Sequence, residues 1–109
     1  MIRLVITTFA NAEDAAKAVR TLVEERFAAC GTVLPGVRSI YRWKEAIEDS
    51  AESLVLIKTS AERFPDLERK LRSIHPYETP EIVALDPAAV SSDYAEWVIQ
   101  CIGGIASPD

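Results

Sequence analysis

Histidine occurs once and cysteine twice in 109 residues. The cysteines, Cys30 and Cys101, stand far apart with no CxxC, which excludes a disulfide framework and a closed zinc site of standard spacing. Such a pair is expected to stay reduced in the cytosol. Glycine is limited to four residues and no Gly-rich phosphate loop is present; HExxH, GxSxG and a Ser/His/Asp ordering are missing as well. No run approaches the roughly 20 apolar residues of a membrane span. The opening Met1-Ile2-Arg3-Leu4-Val5-Ile6 lacks the basic flank and small-residue cleavage site of a signal peptide. The expectation is therefore a chain that starts here and resides in the cytosol. Positive charge is also in deficit: 12 Lys and Arg face 17 Asp and Glu, for a net charge of −5 and a pI near 4.9. That balance lacks the electrostatic footprint of a nucleic-acid binder.

What is present describes a folding domain. The composition is 49% apolar and 27% charged, the average of globular chains, and 12.0 kDa fits one domain over residues 1–109, with about 103–109 as a tail. Ile2 to Phe9 is apolar and β-branched on both faces, the pattern of a central strand. Asn11 offers an N-cap, and Ala15, Val19, Leu22, Val23 and Phe27 follow at helical spacing, predicting a helix over about 12–28. From Cys30 the chain reads extended, bent at Pro35-Gly36, and continues as a long second strand to Lys44. Glu45 to Ala51 reads as a polar connecting turn and Ser53 to Thr59 as a third strand. Ser60 caps a second helix carrying Phe64, Leu67, Leu71 and Ile74 until Pro76 stops it, and Glu81 to Asp86 makes a short fourth strand. A last helix starts near Asp93 in a D-Y-A-E capping box, with Tyr94, Trp97, Val98 and Cys101 on one stripe and Gly103-Gly104 at its end. The order βαββαβ plus a terminal helix predicts an α+β, ferredoxin-like sandwich with helices on one face of an antiparallel sheet.

The second strand is too long for its neighbours to cover, and it carries Ile40, Tyr41, Arg42 and Trp43 near its far end. A protruding ribbon with large aromatics is an aggregation-prone edge unless another subunit buries it. The expectation is a homo-oligomer joined through this hairpin, with Trp43 as an anchor and nearby arginines pairing with carboxylates across subunits. Tyr41 and Trp43 beside Arg38, Arg42 and Lys44 also fit a single-stranded nucleic-acid platform, against which the acidic total argues.

The densest polar constellation is His75-Pro76-Tyr77-Glu78-Thr79-Pro80-Glu81, stiffened by its prolines. His75 and Glu78 can address one divalent cation as imidazole and carboxylate, and Cys30 adds a soft thiolate where the fold or a neighbour brings it close. The same residues have plain structural readings: His75 on terminal helix carbonyls, Glu78 paired with an arginine, and Cys30 as a small buried hydrophobe. Cys101 reads as core. Cys30 with His75 is also the one conceivable nucleophile and base pair, the starting point of a cysteine hydrolase.

The segments A-A-C-G-T-V-L-P-G-V-R-S-I-Y-R-W-K (28–44), L-V-L-I-K-T (54–59) and H-P-Y-E-T-P-E-I (75–82) closely resemble the CutA family, the divalent-cation-tolerance proteins. The resemblance covers nearly the whole chain, from the first strand through Trp97. It implies a ferredoxin-like subunit in a tight trimer, similar in outline to the PII signalling trimers. It also implies a binding protein rather than an enzyme, holding copper or another divalent cation, with Cys30, His75 and Glu78 as the metal positions. A different class of function shares that outline: a signalling or scaffold trimer whose inter-subunit clefts take a small molecule or a partner protein. The chain departs from the family pattern at Gly31, where a β-branched residue is usual, and at Thr32, which keeps a hydroxyl in place of the amide of Asn.

Overall fold

The structure, a computed structural model, describes residues 1–103. Its elements are β1 (Ile2–Phe9), α1 (Ala12–Glu24), β2 (Cys30–Trp43), β3 (Ala46–Ser60), α2 (Phe64–Ile74), β4 (Val83–Leu85) and α3 (Ser92–Gly103). The four strands form one antiparallel sheet in the order β2-β3-β1-β4. This is the expected α+β, split-βαβ arrangement, with the β-branched first strand in the interior of the sheet.

Residues directly opposite in register share a face. On one face Val5 and Phe9 of β1 and Val55 and Ile57 of β3 meet Ala15, Ala18 and Leu22 of α1 and Leu67 and Leu71 of α2, all buried. The opposite face carries Ile2, Leu4, Ile6, Leu54, Leu56, Cys30 and Leu34. Here α3 covers only one end, where Val98 and Ile102 pack on Ile2 and Ala29. Leu4, Ile6, Leu54 and Leu56 stay half-buried, and Leu34, Val83 and Leu85 are exposed. The helices expected on one face are thus α1 and α2, while α3 lies across the other.

The Pro35-Gly36 bend is a bulge. Leu34 pairs with Leu54 and Val37 with Glu52, so β2 advances one residue more than β3. Gly36 sits at φ +74°, open to glycine at little cost. The extra residue switches which side chains share a face: beyond it Val37, Ser39, Tyr41 and Trp43 continue the face of Leu34 and stand with Glu52. The connecting turn expected over Glu45 to Ala51 shrinks to Lys44 and Glu45, with Lys44 at φ +57°, and Ala46 to Ala51 pair with β2 as strand. Its polarity misled because this stretch protrudes beyond the sheet and is wet on both sides. The ribbon stretches the molecule to 52 × 27 × 21 Å.

Four other boundaries moved. Helix α1 stops at Glu24 rather than about 28, because Arg26 takes the left-handed conformation at φ 63°. The freed carbonyls are satisfied from outside: Arg26 by Arg63 Nε at 3.1 Å and Phe27 by Thr59 Oγ1 at 2.7 Å. Ser60 accepts the Arg63 N–H at 3.0 Å, capping a turn, and α2 begins at Phe64 with Pro65 in its first turn. β4 is shortened to Val83–Leu85. On α3 the buried positions are Val98 and Ile102, with Tyr94 and Trp97 largely exposed; Gly104 lies outside the described residues. Gly31 marks a close approach: a Cβ there would meet Val19 Cγ1 of α1 at 2.8 Å.

Candidate functional site

Pro76 disfavours helical geometry at His75, which adopts φ −80°, ψ 132° and ends α2. The turn carries the imidazole back onto the end of β1. Its Nε2 lies 2.8 Å from the Thr8 carbonyl, an obligate acceptor, so Nε2 carries the proton; Nδ1 accepts the Tyr77 N–H at 3.1 Å. The ring stacks on Phe9 at 4.2 Å between centroids and is 8% exposed. Burial holds the His75 pKa below the ordinary imidazole value, outweighing the Thr8 bond and the nearby Glu52 charge.

Tyr77 continues the network by donating its hydroxyl to Glu52 Oε2 at 2.6 Å. Burial, and then this bond, push the phenol pKa upward, so Tyr77 remains a donor. Glu52 stands opposite Val37 at the bulge. The chain Thr8, His75, Tyr77, Glu52 therefore ties the proline-stiffened loop to both β1 and the base of the ribbon. Between loop and ribbon opens a cleft of about 600 Å³, lined among others by Tyr41, Trp43, Glu52, Tyr77, Glu78 and Glu81, with no basic residue on its walls among the described residues.

Of the three expected metal positions, Glu78 is exposed and lines this cleft. His75 is beside it in sequence, but both of its nitrogens are engaged. Cys30 is elsewhere: half-buried on the open sheet face, with Sγ sharing a 3.5 Å hydrogen bond with the Tyr94 hydroxyl of α3. That bond, with burial, raises the Tyr94 pKa to about 12. Cys30 pairs with Lys58, which pairs with Leu4, whereas His75 is bonded at Thr8. Four residues at about 3.3 Å each put these points roughly 13 Å apart along the strand, so one chain does not assemble a Cys30 and His75 nucleophile and base. Among the described residues no three His, Cys, Asp or Glu gather as a metal site.

Residues 3–101 match the family described as CutA1 divalent ion tolerance protein. The chain belongs to the CutA1 family. It is 40% identical over 103 residues to the divalent-cation tolerance protein CutA of Thermus thermophilus, covering 94% of this chain and all of that one (100%). Against mouse protein CutA it is 38% identical over 92% of this chain but only 56% of the relative, so it spans about half the length of that animal protein. The crystal structure of CutA from Xylella fastidiosa superposes with a TM-score of 0.89 at 37% identity, over 93% of this chain and 97% of that chain. Gly31 and Thr32 each acquire a setting in the fold. Gly31 makes room for Val19, and the Thr32 hydroxyl accepts Lys58 Nζ at 2.8 Å on the open sheet face.

Glu52, Thr8 and Tyr94 escaped the sequence reading. Glu52 falls between the stretch that reads as a turn, Glu45 to Ala51, and the strand that reads from Ser53; a strand period carried through the bulge places it with Tyr41 and Trp43. Thr8 acts through its carbonyl, which any residue would supply, and Tyr94 reads as an ordinary helix-stripe aromatic.

Proposed function

We propose that this CutA1-family chain works as a cytosolic homotrimeric binding protein for copper or another divalent cation, in the response to metal ions, rather than as an enzyme. The observation that carries the assembly is the open sheet face: Leu4, Ile6, Leu34, Leu54 and Leu56 run uncovered into Val37, Tyr41 and Trp43 of the ribbon. Such a surface calls for burial by other copies. Cys30 lies on that same face, so assembly brings a thiolate to a subunit boundary. Glu78 stands free on the loop, and His75 joins a metal by exchanging the Tyr77 N–H at Nδ1 for the ion. Soft sulfur with imidazole nitrogen suits copper, and the carboxylate adds a hard donor. Both cysteines are free thiols, in keeping with a reducing compartment.

Metal capture falls as pH drops, because protonated imidazole and thiol cannot ligate. Calorimetric titration of reduced, metal-free protein with copper against a competing chelator tests the site. The expected result is saturable binding that a Cys30→Ser, His75→Ala double variant loses; stoichiometric copper retained by that variant removes these residues from the site. The cleft of about 600 Å³ favours a second reading, a PII-like scaffold that receives a small molecule. Thermal shifts separate the two: a metabolite shift without a metal shift supports the second.

A further inference from the structure

His75 is held as a metal-ligating histidine is held. Its Nε2–H donates to the Thr8 carbonyl at 2.8 Å, which fixes the tautomer, and stacking on Phe9 at 4.2 Å between centroids holds the ring plane. Ligating histidines characteristically place their second ring nitrogen on a carbonyl or carboxylate in this way. The lone pair is then left on Nδ1. One group covers it. Pro76 has no N–H, so the first amide after His75 that can reach back is that of Tyr77, which donates to Nδ1 at 3.1 Å. The same residue is held at its other end, where the Tyr77 hydroxyl donates to Glu52 Oε2 at 2.6 Å. Glu52 is 7% exposed, so water competes little for this charge-assisted bond. Amide and hydroxyl belong to one residue, in a loop stiffened by Pro76 and Pro80, so freeing the amide means giving up the hydroxyl bond as well.

We infer that Tyr77 is a gate on His75 Nδ1 and that Glu52 is the latch that keeps it shut. The inference deepens the metal reading above and rests on it: Tyr77 and Glu52 are positioning residues that set how tightly the ion is held, without ligating it. With the gate shut, His75 is an internally satisfied side chain, 8% exposed. With it open, Nδ1 offers its lone pair while Nε2 keeps the Thr8 carbonyl. The apparent affinity is the intrinsic one multiplied by the fraction of molecules whose gate is open. A variant that weakens the latch therefore binds metal more tightly although it is less stable. A residue that only supports the fold gives the opposite sign, since its removal loosens the site along with the rest.

The test is calorimetric titration of the intact, reduced, metal-free protein with copper against a competing chelator, for the parent, Tyr77→Phe and Glu52→Gln, with solution mass and melting midpoint checked for each. Tyr77→Phe, which keeps the ring and loses the latch, should bind copper about ten-fold more tightly. Glu52→Gln, which keeps a neutral bond to the phenol, should gain a few-fold. In a His75→Ala background the Tyr77→Phe gain should vanish. Should that background fail to fold, hydrogen exchange on the parent reads the gate directly. Pro76 and Pro80 carry no amide hydrogen, so the Tyr77 N–H is one of few in the peptide from His75 to Glu81. It should be protected in metal-free protein and lose that protection at copper saturation. Copper held by Tyr77→Phe no more tightly than by the parent, a gain that persists without His75, or a Tyr77 amide equally protected with and without copper overturns the inference. Saturable copper binding by the parent then leaves the metal reading standing. No saturable binding by the parent or by Tyr77→Phe overturns the metal reading, and the gate with it.

Discussion

Removing the Tyr77 hydroxyl tests the network that ties the loop to the ribbon. Tyr77→Phe leaves the ring in place, including its tilted contact with His75 at 4.9 Å, and deletes only the 2.6 Å bond to Glu52. A hydrogen bond to a charged acceptor contributes about 1.5–3 kcal/mol, and the deletion leaves a buried carboxylate with no donor. The expected destabilisation is about 2 kcal/mol, which lowers the melting midpoint of a domain of this size by roughly 8 °C or more. Glu52→Gln keeps a neutral bond to the phenol and costs less. In the double variant the losses fall short of their sum by about 1 kcal/mol, the coupling of residues in direct contact. Urea unfolding at one fixed subunit concentration reads these quantities, because midpoints of an assembling protein shift with concentration. A Tyr77→Phe protein within about 0.5 kcal/mol of the parent, or strict additivity of the pair, would refute the argument that this bond anchors the loop.

The pH dependence follows from His75, the one histidine of the chain. Burial lowers its folded pKa, so the unfolded chain takes up the proton first. The stability it contributes is complete above the unfolded value of about 6.5 and declines as pH falls toward the folded one. Urea midpoints of metal-free protein should therefore drop on acidification through this window, and His75→Gln should flatten the slope; equal slopes would contradict the assignment. At Gly31 the Val19 contact at 2.8 Å leaves no room for a side chain. Gly31→Val should cost about 1–3 kcal/mol and Val19→Ala should recover part of it, whereas a neutral Gly31→Val would show that α1 shifts freely. Trp43→Ala should weaken assembly, read as a fall in solution mass at low concentration; unchanged mass would take the ribbon tip out of the interface.

The parts of the fold visible in the sequence are those written locally. The apolar runs of β1 and the second half of β3, the period of α1 and α2, and the Pro35-Gly36 interruption each reflect a burial pattern or a backbone constraint of nearby residues. The errors lie where partners are distant. Arg26 ends α1 in a left-handed turn because Arg63 and Thr59 capture the carbonyls that follow, which no neighbour in sequence announces. Ala46 to Ala51 look like a loop because their strand partners project beyond the sheet and bury nothing. The candidate site divides in the same way. The loop from His75 to Glu81 stands out through its prolines and its lone histidine. That His75 would point both nitrogens at backbone groups, and that Glu52 would close the network, depends on the fold bringing Thr8 of β1 and Glu52 of β3 against a loop remote from them in sequence.

The open sheet face and the ribbon need other copies to cover them. Light scattering on the purified, reduced protein across a range of concentrations measures this directly. The expected result is a single species at three times the 12.0 kDa subunit mass, stable on dilution. A particle of 12.0 kDa that melts cooperatively would contradict the trimer and, with it, an inter-subunit metal site that draws on Cys30.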